Sequence, residues 1–139
     1  MKVLQVIPSY VPAYHIGGPV SAVHDLCRAL ARHGIEVSVF TTTIGLDQMP
    51  SPLPARNNID GVEVTYFPAS LFKKYNHAYG IARAIRREIQ NYDIVHVHSV
   101  FSYTTLVACA TCRENKKPYL LNPWGALDKD MINFRNRIY

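Results

Sequence analysis

Long apolar runs, paired cysteines and a secretion signal are all missing from this sequence. No apolar run among its 139 residues approaches the ~20 residues that cross a bilayer. The start, "MKVLQVIP", has one lysine, a very short apolar stretch and a proline, which is not a signal-peptide pattern. Cys27, Cys109 and Cys112 cannot all pair with one another, so a disulfide framework is not expected. These absences predict a cytoplasmic protein.

Two common nucleotide-binding motifs are missing as well. The loop after the first apolar run contains neither G-x-G-x-x-G nor G-x-x-x-x-G-K-S/T. The second predicted strand ends in Thr41, Thr42 and Thr43, without the acidic residue that holds a ribose 2′-hydroxyl in dinucleotide enzymes. The sequence therefore predicts neither a classical NAD domain nor a P-loop nucleotidase.

The overall composition is that of a folded domain with a moderate positive charge. Hydrophobic residues make up 48% and charged residues 18% of the chain, unlike a disordered sequence. The formal net charge of +5 has two interpretations. It either serves an anionic partner (nucleotide, phosphorylated lipid, membrane surface or nucleic acid) or is ordinary solubilising charge.

Buried strands alternate with amphipathic helices along the chain. Val20, Val23 and Cys27 recur at helical spacing, whereas "IEVSVFTTT" alternates and is rich in β-branched residues. Such patterns predict strands at residues 2–8, 35–43, 61–68, 93–99 and 117–122, and helices at 19–33, 78–92, 102–115 and 127–139. The sequence of residues 44–58 predicts a surface loop, and that of residues 69–77 does not distinguish helix, strand and loop.

This alternation predicts an α/β domain with a doubly wound, mostly parallel, Rossmann-like sheet and helices on both faces. Ser102 is placed to cap one helix, and Gly34 to end another. The last helix is still running at Tyr139. We therefore expect residues 1–139 to form a single domain of a larger protein.

The loop from Pro8 to Gly18 leaves the carboxyl end of the first strand, where doubly wound sheets bind ligands. Gly17 and Gly18 lack Cβ atoms, so a ligand can approach the backbone at the start of the next helix. Free N–H groups and the helix dipole favour a phosphate there. The pair also suits a tight turn or a helix cap, and both interpretations stay open.

Three further side chains in this loop are candidate substrate contacts: Tyr10, Tyr14 and His15. Their flat rings and hydrogen-bonding tips suit sugar rings, which offer apolar faces and hydroxyl groups together. Loop aromatics also serve ordinary packing, which is the alternative interpretation.

The strand "DIVHVHS" places His96 and His98 on the same side of the sheet. His96 lies within the strand and is predicted to be a core histidine. His98 and Ser99 lie at the carboxyl end and are expected to face the cleft. An imidazole there can bond a substrate hydroxyl or exchange a proton. No third ligand is obvious nearby, so no metal site is predicted.

The segment "NPWGALDKD" leaves the carboxyl end of the fifth predicted strand. Asn122, Trp124 and Gly125 are expected to close the same cleft. The alternative is that Pro123 and Gly125 only make a tight connection and that Trp124 is buried.

Two other motifs are weaker. Cys109 and Cys112 have redox C-x-x-C spacing but lie inside or late in a helix, which favours core packing. A basic helix face either touches anionic lipid or is simply solvated; its residues are Arg83, Arg86 and Arg87, with Lys73 and Lys74 upstream.

Residues 1–42, 92–108 and 118–139 together resemble the N-terminal domain of GT-B fold glycosyltransferases of family 4, the group 1 glycosyltransferases. The first segment combines a strand, a long loop, Gly-Gly, an amphipathic helix and "HGIEVSVFTT". The last resembles a family pattern of Pro, a basic residue, Gly, a hydrophobic pair and Asp. Trp124 occupies the usually basic position, so the pattern supports no charge-based role there.

The resemblance implies retaining transfer of a sugar from a UDP- or GDP-linked donor to a hydroxyl acceptor, in polysaccharide or glycolipid synthesis. Gly17 and Gly18 would approach the donor diphosphate, and His98 would lie near the reacting sugar. The family's C-terminal donor domain is absent from this chain, so the fragment alone is expected to be inactive.

The resemblance also implies the partners. Members often need no metal, and no cofactor beyond the nucleotide sugar is expected. They often dock on the inner membrane face, which the basic helix would suit. Expected partners are therefore the nucleotide sugar, a carbohydrate or lipid-linked acceptor, the missing domain and an anionic membrane surface, and not nucleic acid.

A second class of function stays open: a stand-alone, flavodoxin-like binding or membrane-docking module without catalysis. It predicts a complete C-terminal helix packed on the sheet, and liposome binding that does not depend on sugar nucleotides. The uncapped helix at Tyr139 favours the enzyme domain.

Overall fold

A mostly parallel sheet with the first strand near its centre organises the fold. The computed structural model describes residues 1–47, 53–70, 76–130 and 132–133. The strands in these residues are β1 (Lys2–Val6), β2 (Glu36–Thr42), β3 (Arg56–Ile59), β4 (Val62–Phe67), β5 (Ile94–His98) and β6 (Tyr119–Asn122). They pair in the order β3-β4-β2-β1-β5-β6, and all neighbours are parallel except β3 and β4.

Helices cover both faces of this sheet, as the sequence predicts. The α-helices that pack on it are α1 (Gly18–Arg32), α2 (Ile81–Glu88) and α3 (Tyr103–Glu114). On one face α1 packs against β2 and β4, in a buried cluster that includes Val23, Cys27, Val39 and Val64. On the other face α2 and α3 pack against β1 and β5, in a cluster that includes Leu4, Ile85, Val97 and Ala108. The doubly wound α/β class is confirmed.

The sequence prediction missed one strand. Residues 44–58 were expected to be a loop, but β3 forms there and pairs antiparallel with β4. Its sequence, R-N-N-I, has no apolar alternation that would mark a strand. The signal that could have revealed it is the turn, because Asp60 and Gly61 both have left-handed backbones (φ 52° and 84°), and Asp-Gly is a preferred hairpin pair. Residues 48–52 of the expected loop lie outside the described residues.

Helix bounds differ from the expectations at local breaks. Instead of one helix at 78–92, the structure has α2 followed by a single 3-10 turn at Ile89–Asn91. Gly80, with φ 81°, directly precedes α2. Ser102 caps α3 by accepting from the Thr105 N–H at 3.2 Å, as expected. Of the predicted helix at 127–139, residues 129, 130, 132 and 133 are helical. Residues 131 and 134–139 lie outside the described residues, as do Lys73 and Lys74.

The loop that follows β1 is fixed from behind by buried hydrogen bonds. The Thr42 hydroxyl donates to the Pro8 carbonyl at 2.6 Å, and the Tyr66 hydroxyl donates to the Val11 carbonyl at 2.5 Å. Both donors lie on neighbouring strands. The sheet therefore determines where this loop leaves β1 and where it turns toward α1.

The same loop is packed tightly at Gly45, in the turn after β2. A Cβ atom on Gly45 would lie 2.7 Å from Ile16 Cγ1, and the φ of Gly45 is 87°. Gly61 has a similar φ of 84°, but a Cβ atom there would meet nothing within 4 Å. The two glycines therefore share the backbone requirement and differ only in the space around them.

We expect Gly45→Ala to lower the free energy of unfolding more than Gly61→Ala. Gly61→Ala carries only the left-handed backbone strain, about 1 kcal/mol. Gly45→Ala adds overpacking against Ile16, for a total of about 2–4 kcal/mol. Urea unfolding followed by circular dichroism measures both, and equal losses would contradict the close packing at Gly45.

Candidate active site

Segments after β1, β5 and β6 meet around one cavity of about 410 Å³ at the carboxyl ends of these strands. We call this cavity the cleft. Its lining includes Gly17 at the start of α1, His98 and Ser99 at the end of β5, and Trp124 after β6. The three regions singled out in the sequence therefore share one site, because parallel strands place their carboxyl ends on the same edge.

The remaining predicted residues are divided between the rim and the core. Gly18, Asn122 and Gly125 are neighbours of lining residues, and the Asn122 side chain accepts from the Trp124 N–H at 3.1 Å. Tyr14 and His15 are exposed and are not among the lining residues. The structure does not bring Tyr10 into the cleft.

Tyr10 instead lies in the core behind the loop, with 1% of its surface exposed. Its hydroxyl is 3.0 Å from His24 Nδ1 on α1, and His24 Nε2 is 3.2 Å from the Asp60 carboxylate in the β3–β4 turn. Arg28 also pairs with Asp60, at 3.4 Å. Burial raises the pKa of Tyr10 far above its usual value, so its hydroxyl remains protonated. Tyr10 is therefore a structural anchor of the loop.

Several lining residues were not singled out in the sequence. Asn76, with a left-handed φ of 57°, reaches the cleft from the segment before α2, and Ile44 and Ala126 add apolar surface. Gln5 lies directly behind the cleft and is fully buried. The sequence did contain a signal for Gln5, because a glutamine in the middle of the apolar strand "KVLQV" must find a buried polar partner.

The start of α1 offers fewer backbone donors than the glycine pair suggested. Gly17 has φ 141°, a conformation that side chains rarely adopt, and its N–H is bonded to the Tyr14 carbonyl at 3.3 Å. Pro19 has no N–H, and the Val20 N–H bonds to the Gly17 carbonyl at 3.2 Å. Among the described residues no backbone acceptor faces the Gly18 N–H. Gly18 is exposed, so its amide is available to an anion.

His98 occupies the floor of the cleft and is bonded at both ring nitrogens. Nε2 lies 2.7 Å from Gln5 Oε1, and Nδ1 accepts from the Trp124 indole N–H at 3.2 Å. The His96 ring lies 4.0 Å from the His98 ring, centroid to centroid. Burial, and to a lesser extent His96, lowers the pKa of His98 from its usual 6.5 to about 3. His98 is therefore a neutral imidazole near pH 7.

Three non-glycine residues that line the cleft have left-handed backbones. Asn76, Ser99 and Trp124 have φ angles of 57°, 76° and 50°. Hydrogen bonds around them hold this geometry: the Ser99 N–H donates to the Asn122 carbonyl at 2.9 Å, and the Ser99 carbonyl accepts from the Thr105 hydroxyl at 3.2 Å. Such conformations persist where the surroundings impose them, often at binding sites.

The described residues contain no group of three or more His, Cys, Asp or Glu side chains placed to hold a metal ion. No helix among them has both the length and the apolar character needed to cross a membrane. The C-x-x-C cysteines lie in α3, where burial raises the pKa of Cys112 to about 11 and also raises that of Cys109.

The fold is that of a Rossmann-like domain with a cleft at the carboxyl ends of its parallel strands. The family model of Glycosyltransferase Family 4 matches residues 16–137, which is most of the chain. The chain therefore belongs to glycosyltransferase family 4, and the family expected from the sequence is confirmed.

A curated relative gives a more specific comparison. The chain is 31% identical over 103 residues to a GDP-mannose:cellobiosyl-diphosphopolyprenol alpha-mannosyltransferase of Komagataeibacter xylinus. The match covers 72% of this chain and 24% of the relative. The chain thus spans about a quarter of the length of the curated relative that it matches.

The lowered pKa of His98 predicts a measurable acid sensitivity. Because the folded protein keeps His98 neutral while the unfolded chain protonates it below about pH 6.5, the free energy of unfolding falls as the pH drops below that value. Between pH 7 and pH 4.5, His98 lowers the free energy of unfolding by about 2 kcal/mol. In His98→Gln that part of the loss should disappear, as measured by urea unfolding at both pH values. An identical pH dependence in the two proteins would contradict a neutral, buried His98.

Proposed function

We propose that this chain is the N-terminal, acceptor-side domain of a retaining glycosyltransferase. The whole enzyme would transfer a hexose from a nucleotide sugar to a hydroxyl group of an acceptor. The single observation that carries the proposal is the convergence of Gly17, His98 and Trp124 on one cleft in a family 4 chain. The position of that cleft, at the carboxyl ends of parallel strands, also supports it.

In the proposed reaction the C1–O bond to the nucleotide diphosphate breaks, and the acceptor oxygen bonds to C1 of the sugar. The hydroxyl proton of the acceptor leaves on the diphosphate, so atoms and charge balance. The Gly18 amide and the amino end of α1 would stabilise negative charge on the departing diphosphate. Since His98 is neutral, it would bond a sugar hydroxyl and would not protonate the leaving group.

The relative and the cleft both support a proposed substrate class. The relative's name gives GDP-mannose as its donor and a diphosphopolyprenol-linked disaccharide as its acceptor. By similarity we propose a UDP- or GDP-linked hexose donor, and a carbohydrate or lipid-linked acceptor in polysaccharide or glycolipid synthesis. Tyr14 and His15, which are exposed at the tip of the loop, would meet the acceptor. No metal and no further cofactor is part of this proposal.

Two partners complete the proposal. A C-terminal GT-B domain would supply most of the donor site, so these residues alone would have no useful activity. The enzyme would work in the cytoplasm, docked peripherally on the inner membrane face. Support for docking comes from α2, whose exposed residues Arg83, Arg86 and Arg87 lie opposite its buried face. Anionic lipid head groups are the ligands that such a surface attracts.

The function is tested by screening the full-length gene product against a panel of nucleotide sugars, with product detection by mass spectrometry. We expect turnover with one donor class, and a loss of at least about 100-fold in His98→Ala, because the sugar loses its buried hydrogen-bond partner. His33→Ala is the matched control, since His33 is exposed at the end of α1 and lies outside the cleft lining. Turnover unchanged in His98→Ala would remove His98 from the mechanism.

The diphosphate position is tested separately with Gly18→Val. A Cβ atom at Gly18 meets no protein atom within 4 Å, so the fold should tolerate the side chain. The branched side chain would stand beside the free amide and weaken nucleotide-sugar binding about tenfold or more. Ser21→Val, on an exposed position one turn further along α1, is the control. Calorimetric titration of the full-length protein measures both affinities, and an unaltered affinity in Gly18→Val would count against this position.

A further inference from the structure

The side chains of Gln5, His98 and Trp124 are joined in sequence by two hydrogen bonds, and we call this set the row. The chemistry of the three groups fixes which atom donates in each bond. An indole N–H only donates, so Trp124 Nε1 must donate to His98 Nδ1 across their 3.2 Å separation. Nδ1 therefore carries a lone pair, and the ring proton of the neutral imidazole lies on Nε2. That proton is donated to Gln5 Oε1 at 2.7 Å.

Gln5 alone would not impose this arrangement. Its amide offers an oxygen or an NH₂ group, and by turning over it can match either protonation state of His98 Nε2. In the orientation that it adopts, its NH₂ group is buried and has no partner in the described part of the chain. A buried, unpaired donor is unfavourable. A stronger requirement elsewhere in the row must hold the amide this way, and the donor-only indole supplies it.

The two ends of the row also differ in access. Gln5 is fully buried, whereas Trp124 is 39% exposed and lines the cleft. The Nε2 side of His98 therefore points into the protein, and the Nδ1 side points toward the cleft. A ligand can replace only the indole.

We propose that Trp124 is a positioning residue, whose indole N–H selects the Nε2-protonated form of His98 and keeps Nδ1 as the hydrogen-bond acceptor of the cleft. The ligand class rests on the proposed function: a sugar hydroxyl takes the place of the indole and donates to Nδ1. Groups that only accept, such as a carboxylate or a fully ionised phosphate, cannot bond this atom. The row thus favours the hydroxyl-bearing part of a substrate at His98 and disfavours its diphosphate.

The test reads the protonation of His98 directly, in full-length protein labelled with ¹⁵N-histidine. His98→Gln identifies the His98 signal. In the unmodified protein at pH 7, long-range ¹H–¹⁵N correlation should show only the Nε2-protonated form. In Trp124→Phe the ring remains but the donor is lost, so Gln5 can turn over and the Nδ1-protonated form should appear as a second population. A pure Nε2-protonated signal in Trp124→Phe would overturn the proposal.

Gln5→Met provides the opposite variant, because it removes the amide and leaves the indole. His98 should remain Nε2-protonated in Gln5→Met, since Trp124 still donates to Nδ1. A change of tautomer there would assign the selection to Gln5 and overturn the proposal. Circular dichroism establishes that each variant is folded, and either variant alone can decide the question.

These spectra are independent of activity, so this inference and the proposed function fail separately. If no nucleotide sugar is turned over but the tautomers behave as described, only the glycosyltransferase proposal is lost. If turnover is found and Trp124→Phe leaves the tautomer unchanged, only the role of Trp124 is lost. With an active donor in hand, adding it to the unmodified protein should keep His98 Nε2-protonated, and a shift of the proton to Nδ1 would overturn the hydroxyl assignment.

Discussion

The hydrogen-bonded contact between Gln5 and His98 ties the centre of the sheet to the cleft. It joins β1 to β5 in the buried interior, and Trp124 extends it to the loop after β6. Because both side chains are almost completely buried, neither can exchange this partner for water. Burial keeps His98 neutral, and hydrogen bonds at both ring nitrogens hold the ring between the interior of the sheet and the cleft.

Hydrophobic spacing was sufficient to predict most of the fold. Strands buried on both faces and helices with one apolar face leave few ways to assemble, and the parallel order follows from their alternation. The same logic brings Gly17, His98 and Trp124 together, since each lies at or beyond the carboxyl end of a strand. Spacing along the chain could not indicate β3, because R-N-N-I is a polar edge strand that is specified by its Asp-Gly turn.

Side-chain direction within the loop could not be predicted in the same way. Tyr10 and Tyr14 lie four residues apart in one irregular segment, yet the first is buried and the second is exposed. The difference depends on His24, which lies in α1 and offers a ring nitrogen at 3.0 Å to the Tyr10 hydroxyl. Likewise, the partners of His98 come from residues 5 and 124, at opposite ends of the chain. Only the folded arrangement brings such distant groups together.

The loop after β1 has a buried half and an exposed tip, and this division has an evolutionary consequence. Hydrogen bonds from Thr42, Tyr66 and His24 hold its buried half. The exposed tip at Tyr14 and His15 takes no part in those bonds. Replacements at the tip can therefore accumulate without loss of folding, whereas replacements behind it cannot. If Tyr14 and His15 meet the acceptor as proposed, a lineage built on this scaffold can diversify its acceptors by drift at two neighbouring positions, while the residues around His98 are inherited unchanged.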